Sequence, residues 1–266
     1  MKNGQEDGIS TPDNVEFFEA FKAAVTHPEL TETRRVVCRT LSSQLAACGG
    51  RLWAFEVGGP DFRTALSIVV QFGGGLSTGA VTLAEQTNWY AASALVRQFV
   101  EVEYLVRLFR RIPTEALVWL QASSSDLCAA FSPSKMRKRM GNGEFRHQEY
   151  AVHCDFGGHP NPKAHFLLPA RHLEPHRPPL GSNEAFWIDL AQHLRRIWID
   201  IEAIPTDHPN ETLNVIHQYT GVVTEAIRVW EDVDPCSPMM PAPLLAELAA
   251  GAESARQTPP ADATGP

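Results

Sequence analysis

The sequence lacks the cysteine patterns of a disulfide scaffold or a zinc ribbon. Its five cysteines are odd in number and widely spread, and no two of them form a Cys-x-x-Cys pair. This pattern argues against a secreted disulfide-rich domain and against a zinc ribbon. The first ten residues contain no apolar stretch of the kind that a secretory signal needs, so we expect a cytoplasmic protein.

Positive charge is also in short supply. The chain of 266 residues has 23 Lys and Arg against 31 Asp and Glu, which gives a net charge of −8. A protein that coats nucleic acid through bulk charge is excluded, and any such binding needs a local basic patch. The 44% hydrophobic and 20% charged residues are typical of a globular chain.

The sequence contains no convincing run of alternating polar and apolar residues, the pattern of a half-buried strand. Apolar residues instead recur every three to four positions between helix-capping residues and helix breakers. We therefore predict an all-α multi-helix bundle over residues 1–233, followed by a disordered or weakly structured Pro/Ala-rich tail over 234–266. Five helices are predicted with both ends, and they run from Thr31 to Gly49-Gly50, from about Phe62 to Glu85, from Trp89 to about Arg111, from about Phe145 to Asp155 and from about Glu211 to Asp232. Four more are predicted by their starts alone, at Ser10-Thr11-Pro12, Thr114, Pro133 and Ser182.

No charged residue lies between Thr64 and Ala84, a stretch long enough to span a bilayer. Polar residues and the glycines Gly73, Gly74 and Gly75 make it only weakly apolar, so we expect a central bundle helix and no membrane partner. Each glycine costs a helix about 1 kcal/mol relative to alanine. The close approach of a neighbouring backbone is the expected reason for them, and a break in the helix is the alternative.

A basic segment stands out in this acidic chain. Lys135, Arg137, Lys138 and Arg139 place four positive charges within five residues. Such a patch can attract the phosphates of a nucleic acid, and we predict these four residues as a nucleic-acid-binding surface. The alternative is a solvated helix face that pairs with acidic neighbours.

Arg146 and His153 follow this segment. They lie seven positions apart, so they share one face of a helix two turns apart. Cleavage of RNA by its own 2′-hydroxyl needs proton transfer, which histidine can perform, and a cation at the developing phosphorane. His153 is therefore predicted as the acid–base group and Arg146 as the cation, with no cofactor.

A metal site is a competing interpretation of the same segment. His153, Asp155 and His159, joined in a larger set by Cys154 or His165, are ligand types that suit zinc or another transition metal. Their spacing matches no tight metal motif, so we rank a metal-dependent hydrolase below the metal-free chemistry.

A charged pair interrupts the apolar helix predicted from Trp89. Arg97 and Glu101 lie four positions apart on one helical face, and Tyr104 lies nearly one turn further. The pair is predicted to form a buried salt bridge that sets packing, or to position an active-site histidine. All three residues enter the candidate catalytic set.

One pattern in this region resembles a family of bacterial all-helical proteins. It is Ala-x-x-Leu-x-Arg-x-x-x-Glu from Ala92 to Glu101, followed some fifty residues later by Tyr150 and by His159-Pro160. That family is similar to the HEPN superfamily, whose motif is Arg, four to six residues, then His. Arg146 to His153 fits this spacing, whereas the family's histidine before proline corresponds to His159.

The resemblance covers roughly residues 62–232 and carries specific expectations. It implies a helical bundle, a homodimer, and a metal-independent endoribonuclease or RNA-binding protein of the toxin or phage-defence type. The catalytic residues would be Arg146 with His153 or His159. The alternative outside enzymology is a non-catalytic bundle that binds a protein partner or a small ligand.

Overall fold

The computed structural model describes residues 27–54, 61–140, 147–158, 164, 167–168, 182–204 and 210–237. Within them the chain is helical and contains no strand, so the predicted all-α bundle is confirmed. The helix predicted at Ser10-Thr11-Pro12 and residues 238–266 of the predicted tail lie outside these ranges. The helices are α1 Pro28–Ala54, α2 Phe62–Glu85, α3 Trp89–Arg111, α4 Thr114–Gln121, α5 Ser124–Phe131, α6 Pro133–Met140, α7 His147–His153, α8 Ser182–Glu202 and α9 Asn210–Val233, with a π-helical turn at Cys154–Gly158 after α7.

The long helices α1, α2, α3, α8 and α9 build the core. α1 packs against α2, α8 and α9, while α3 packs against α2, α8 and the π-helical turn. Three tryptophans, Trp187, Trp198 and Trp230, are among the largest fully buried side chains. The indole of Trp198 donates to the Leu41 carbonyl oxygen at 3.2 Å, which joins α8 to α1. Of the short helices, α4 packs against α2 and α3, α6 and α7 pack against α3, and α5 packs against α6.

α2 runs unbroken through its three glycines, which excludes the predicted break. Asp61 caps the helix, and its carboxylate accepts from the Thr64 amide at 2.8 Å. A Cβ atom at Gly74 would lie 2.4 Å from the Ala46 Cα of α1, so glycine permits the contact between the two backbones. The expected reason for the glycines is confirmed at this position.

α1 does not end at Gly49-Gly50, and that prediction was wrong. The helix continues to Ala54. A Cβ at Gly49 would lie 2.7 Å from the Gln71 backbone nitrogen, and the Ser67 hydroxyl donates to the Gly49 carbonyl at 2.9 Å. Gly49 therefore serves a helix–helix contact, and packing overrides the local tendency of a glycine pair to end a helix.

α2 is long and apolar enough to cross a membrane by length and composition alone. Half of its most apolar window is buried inside the bundle, where it contacts α1, α3 and α4. The core helix of a bundle has this same length and composition.

Residues 234–237, predicted as the beginning of the tail, pack against the bundle. Asp234 is fully buried and accepts two hydrogen bonds from Arg34 of α1, at 2.7 and 2.8 Å. Cys236 and Ser237 are buried as well. All five cysteines lie in the described ranges and none forms a disulfide.

Candidate metal centre

Two histidines and one aspartate converge between α7 and α8. His153 is the last residue of α7, and Asp189 and His193 lie one turn apart on α8. The Nε2 atoms of His153 and His193 are 3.0 Å apart. The Asp189 Oδ1 atom lies 3.7 Å from the first and 3.6 Å from the second.

The spacing of these three donor atoms suits a transition-metal ion. A point about 2.0 Å from all three atoms exists, and zinc binds histidine nitrogen and carboxylate oxygen at about 2.0–2.2 Å. The His193 side chain is fully buried, whereas His153 and Asp189 keep 8% and 13% of their side-chain surface exposed. The site is therefore buried, with only an edge of His153 and Asp189 at the surface.

Glu103 of α3 supports the histidine pair from the far side. Its Oε2 atom lies 2.6 Å from His193 Nδ1, and its Oε1 atom accepts from Arg196 Nε and Arg107 Nη2, each at 3.1 Å. Burial raises the pKa of Glu103, but the charges of Arg196, His193 and Arg107 and the His193 hydrogen bond outweigh it and lower the pKa to about 2. Glu103 is thus an ionised carboxylate that accepts hydrogen bonds.

Arg196 lies over the His193 ring. Its Nη2 atom is 2.6 Å from Nδ1 and 3.3 Å from Nε2 of the same imidazole. A donor aligned with the lone pair of one ring nitrogen would lie much farther from the other, so this guanidinium nitrogen stands above the ring plane. The position in the ring plane beside Nδ1 is occupied by the Glu103 carboxylate.

The polar residues of α8 form one stripe that faces α3. Asp189, His193, Arg196 and Asp200 recur at helical spacing, and Asp200 accepts from Arg107 Nε at 2.9 Å. Arg110 adds a second ion pair to Asp200 at 3.3 Å. This stripe is the signal in the sequence that could have indicated the site, because four polar residues on one face of an apolar helix need partners.

The π-helical turn fixes the position of His153. A Cβ atom at Gly157 would lie 2.4 Å from the Ser93 carbonyl oxygen of α3, so only glycine allows the turn to approach so closely. The turn follows His153 directly and packs against α3. This contact brings the end of α7 over the stripe of α8.

Of the described members of the metal set predicted from the sequence, His153 takes part and Cys154 and Asp155 do not. Among the described residues, the group able to hold an ion is His153, Asp189 and His193. Asp155 lies in the π-helical turn and does not belong to that group, which corrects the predicted set, while His159 and His165 lie outside the described residues. The sequence interpretation missed Asp189, His193 and Glu103.

The predicted Arg97–Glu101 ion pair forms and also binds Tyr150 of α7, but it is only partly buried, with 26% and 31% of the two side chains exposed. Arg97 Nη2 lies 3.1 Å from Glu101 Oε1 and donates to the Tyr150 hydroxyl at 3.1 Å, which in turn donates to Glu101 at 2.7 Å. Burial and the Glu101 carboxylate raise the pKa of Tyr150. Tyr104 is buried in the hydrophobic core. Arg146 and His159 lie outside the described residues, so the catalytic roles predicted for them stay predictions.

The basic residues of α6 divide into two kinds. Lys135 and Lys138 are exposed, whereas Arg139 pairs with Glu115 at 2.5 Å and lies over the Phe131 ring at 5.0 Å. The alternative prediction, that this helix face pairs with acidic neighbours, is therefore confirmed for Arg139. The side chain of Arg137 lies outside the described residues.

Comparison with known proteins adds no relative. No protein-family model, curated protein or solved structure matches the chain. The resemblance to the HEPN superfamily accordingly stays a prediction.

Proposed function

We propose that the chain is a divalent-metal-dependent hydrolase whose ion is held by His153, Asp189 and His193. The observation that carries the proposal is the convergence of three donor atoms on one point at metal-bonding distance. Two imidazoles and one carboxylate are the donor types of catalytic zinc sites, whereas Mg²⁺ and Ca²⁺ prefer oxygen ligands alone. Zinc or a neighbouring transition metal is therefore the expected ion.

Three protein ligands leave a coordination position for water. A zinc ion held there would lower the pKa of a bound water to about 7 and so would supply a nucleophile at neutral pH. The same ion would polarise a carbonyl or phosphoryl group of the substrate, which makes its carbon or phosphorus atom easier to attack. The small exposed edge of His153 and Asp189, 8% and 13% of their side-chain surface, would let water reach the site.

Metal binding by substituted proteins tests the proposal. Asp189→Asn removes one ligand and is expected to weaken Zn²⁺ binding at least about 100-fold, more than a typical outer-shell change. Asp155→Asn is the matched control, because Asp155 lies next to the site in sequence but outside the ligand group. Affinity is measured by calorimetry and metal content by elemental analysis, with hydrolysis of activated carboxylic and phosphate esters as the activity readout.

Two results would contradict the proposal. The first is a purified wild-type protein that binds no transition-metal ion at one equivalent when dialysed against Zn²⁺. The second is equal Zn²⁺ affinity for the wild type and for Asp189→Asn. Equal hydrolysis by the wild type and by Asp189→Asn would remove the catalytic part and leave only a metal-binding protein.

A second candidate function, binding of a nucleic-acid backbone, is supported by the surroundings of α6. Arg111 Nη1 of α3 donates to the Met140 carbonyl at 2.9 Å, which places the C-terminal end of α3 beside α6. Arg111 thereby adjoins the helix that carries Lys135 and Lys138, whereas Arg110 is directed to Asp200 of α8. This surface concentrates positive charge in a protein of net charge −8.

A further inference from the structure

We infer that Glu103 is a positioning residue of the metal centre, which holds the ring proton of His193 on Nδ1 and so directs the Nε2 lone pair at the ion. The inference rests on the proposed function, because it concerns how the same ligand set is prepared. Metal-binding histidines commonly donate their second ring N–H to a carboxylate, which fixes both tautomer and ring orientation.

The hydrogen bond between Glu103 and His193 sets the tautomer. A carboxylate that already accepts from two guanidinium groups can only accept from a ring nitrogen as well. The Oε2–Nδ1 distance of 2.6 Å between these buried groups therefore places a ring proton on Nδ1. The Nε2 atom, which would supply the lone pair to a bound ion, faces His153 Nε2 and Asp189 Oδ1.

Arg196 leaves this arrangement in place. Its nitrogen near the ring lies above the imidazole plane, as the distances of 2.6 and 3.3 Å to the two ring nitrogens require. Its Nε atom instead donates to Glu103 Oε1 at 3.1 Å. The arginine thus holds the carboxylate in place.

The carboxylate itself is held from two helices. Arg107, one turn along α3 from Glu103, reaches Oε1 at 3.1 Å and is anchored to Asp200 of α8 at 2.9 Å. Arg196 approaches from α8. Because both guanidinium groups fix Oε1, the Oε2 atom is directed at His193, and the ring orientation follows from the packing of α3 on α8.

Glu103→Gln is the variant that tests this role, with Glu101→Gln as the matched control on the same helix. Glu101 binds Tyr150 and takes no part in the histidine contacts given above. The expected result is a 10- to 100-fold weaker affinity for Zn²⁺ in Glu103→Gln and unchanged affinity in Glu101→Gln. The visible absorption of the Co²⁺-loaded protein should keep its pattern in Glu103→Gln, because the three ligands are unchanged.

A measurement on the unsubstituted protein keeps the test decisive if Glu103→Gln fails to fold. ¹⁵N NMR of histidine-labelled wild type, without metal, reports which ring nitrogen of His193 carries the proton. Protonation at Nδ1 is expected, and protonation at Nε2 alone would overturn the inference.

Different results would contradict this inference and the proposed function. If the wild type binds Zn²⁺ and Glu103→Gln binds it equally well, Glu103 has no positioning role and the metal centre stands. If the wild type binds no transition metal, the proposed function fails and this inference fails with it.

Discussion

At the scale of single residues, buried charges occur as compensated sets. Arg34 and Asp234 form a fully buried pair with two hydrogen bonds, and the Trp230 indole adds a third donor to Asp234 at 2.8 Å. Burial raises the pKa of Asp234, but the hydrogen bonds from Arg34, the Cys236 amide and Trp230 outweigh it and hold the pKa below its ordinary value. The pair ties the chain beyond α9 to α1.

Asp234→Asn is expected to lower the free energy of unfolding by about 3 kcal/mol near neutral pH, because it leaves a buried Arg34 without its counter-charge. The folded-state pKa of Asp234 lies below the ordinary 3.8, so its stabilising contribution is complete above that value and is lost as the pH falls below it. The difference between the two proteins should therefore shrink with acid. Urea unfolding from pH 7 down to 2.5 measures it.

The control for this prediction is Asp232→Asn, two residues earlier. Asp232 makes an exposed ion pair with Arg228 at 2.8 Å, so water screens the interaction and little change in stability is expected. A stability difference between the wild type and Asp234→Asn that stays constant across the acid range would contradict the assignment.

At the scale of elements, glycines decide how closely helices approach one another. Gly74 faces the α1 backbone, whereas Gly75, its neighbour on α2, has nothing within 4 Å of where a Cβ would stand. The sequence predicted that the glycine run serves a backbone contact, since the penalty of glycine in a helix needs a compensation. Which of the three glycines makes that contact depends on how α1 and α2 are rotated against each other.

Substitution of the two neighbouring glycines by alanine is expected to have opposite effects. Gly74→Ala places a methyl group 2.4 Å from the Ala46 Cα and should destabilise the bundle by about 2 kcal/mol or more. Gly75→Ala meets open space and should stabilise it by about 0.5–1 kcal/mol, because alanine loses less backbone entropy in a helix. Thermal or denaturant unfolding of both variants checks the pair, and destabilisation by both would be inconsistent with the packing.

At the scale of the whole molecule, a net charge of −8 coexists with a positive surface around α6. Lys135 and Lys138 are exposed there, and Arg111 at the end of α3 binds the Met140 carbonyl at the end of α6. A polyanion is attracted to this surface but is repelled by the net negative charge of the rest of the protein. Binding should therefore be local and sensitive to salt.

Replacing Lys135 and Lys138 by Glu is expected to weaken binding of single-stranded RNA about 10-fold or more at low salt. The slope of log affinity against log salt concentration should also fall by about 1.4, the value for two lost phosphate contacts. Fluorescence anisotropy with a labelled oligonucleotide measures both quantities. The control replaces Arg51 and Arg228, two exposed cations elsewhere, by Glu. Equal losses in both doubly substituted proteins would assign the effect to net charge rather than to the α6 surface.

Local sequence by itself determined the bounds of α2 and α3. In the structure Asp61 and Asn88 cap these helices, and caps and apolar periodicity act within a few residues, so their predicted bounds needed no tertiary contact. The end of α1 depended on packing instead. The polar stripe of α8, from Asp189 to Asp200, was equally present in the sequence. It led to no prediction of the site, because the residues that it contacts lie far away along the chain.

Only the tertiary structure decided the site. His193 lies 40 residues from His153 and 90 residues from Glu103, and no local rule relates positions so far apart. Their convergence depends on the rotation of α8 against α3 and on the glycine that lets the π-helical turn approach α3. Sequence reasoning therefore selected a ligand set from neighbours along the chain, whereas the packed bundle selects donors that are neighbours in space.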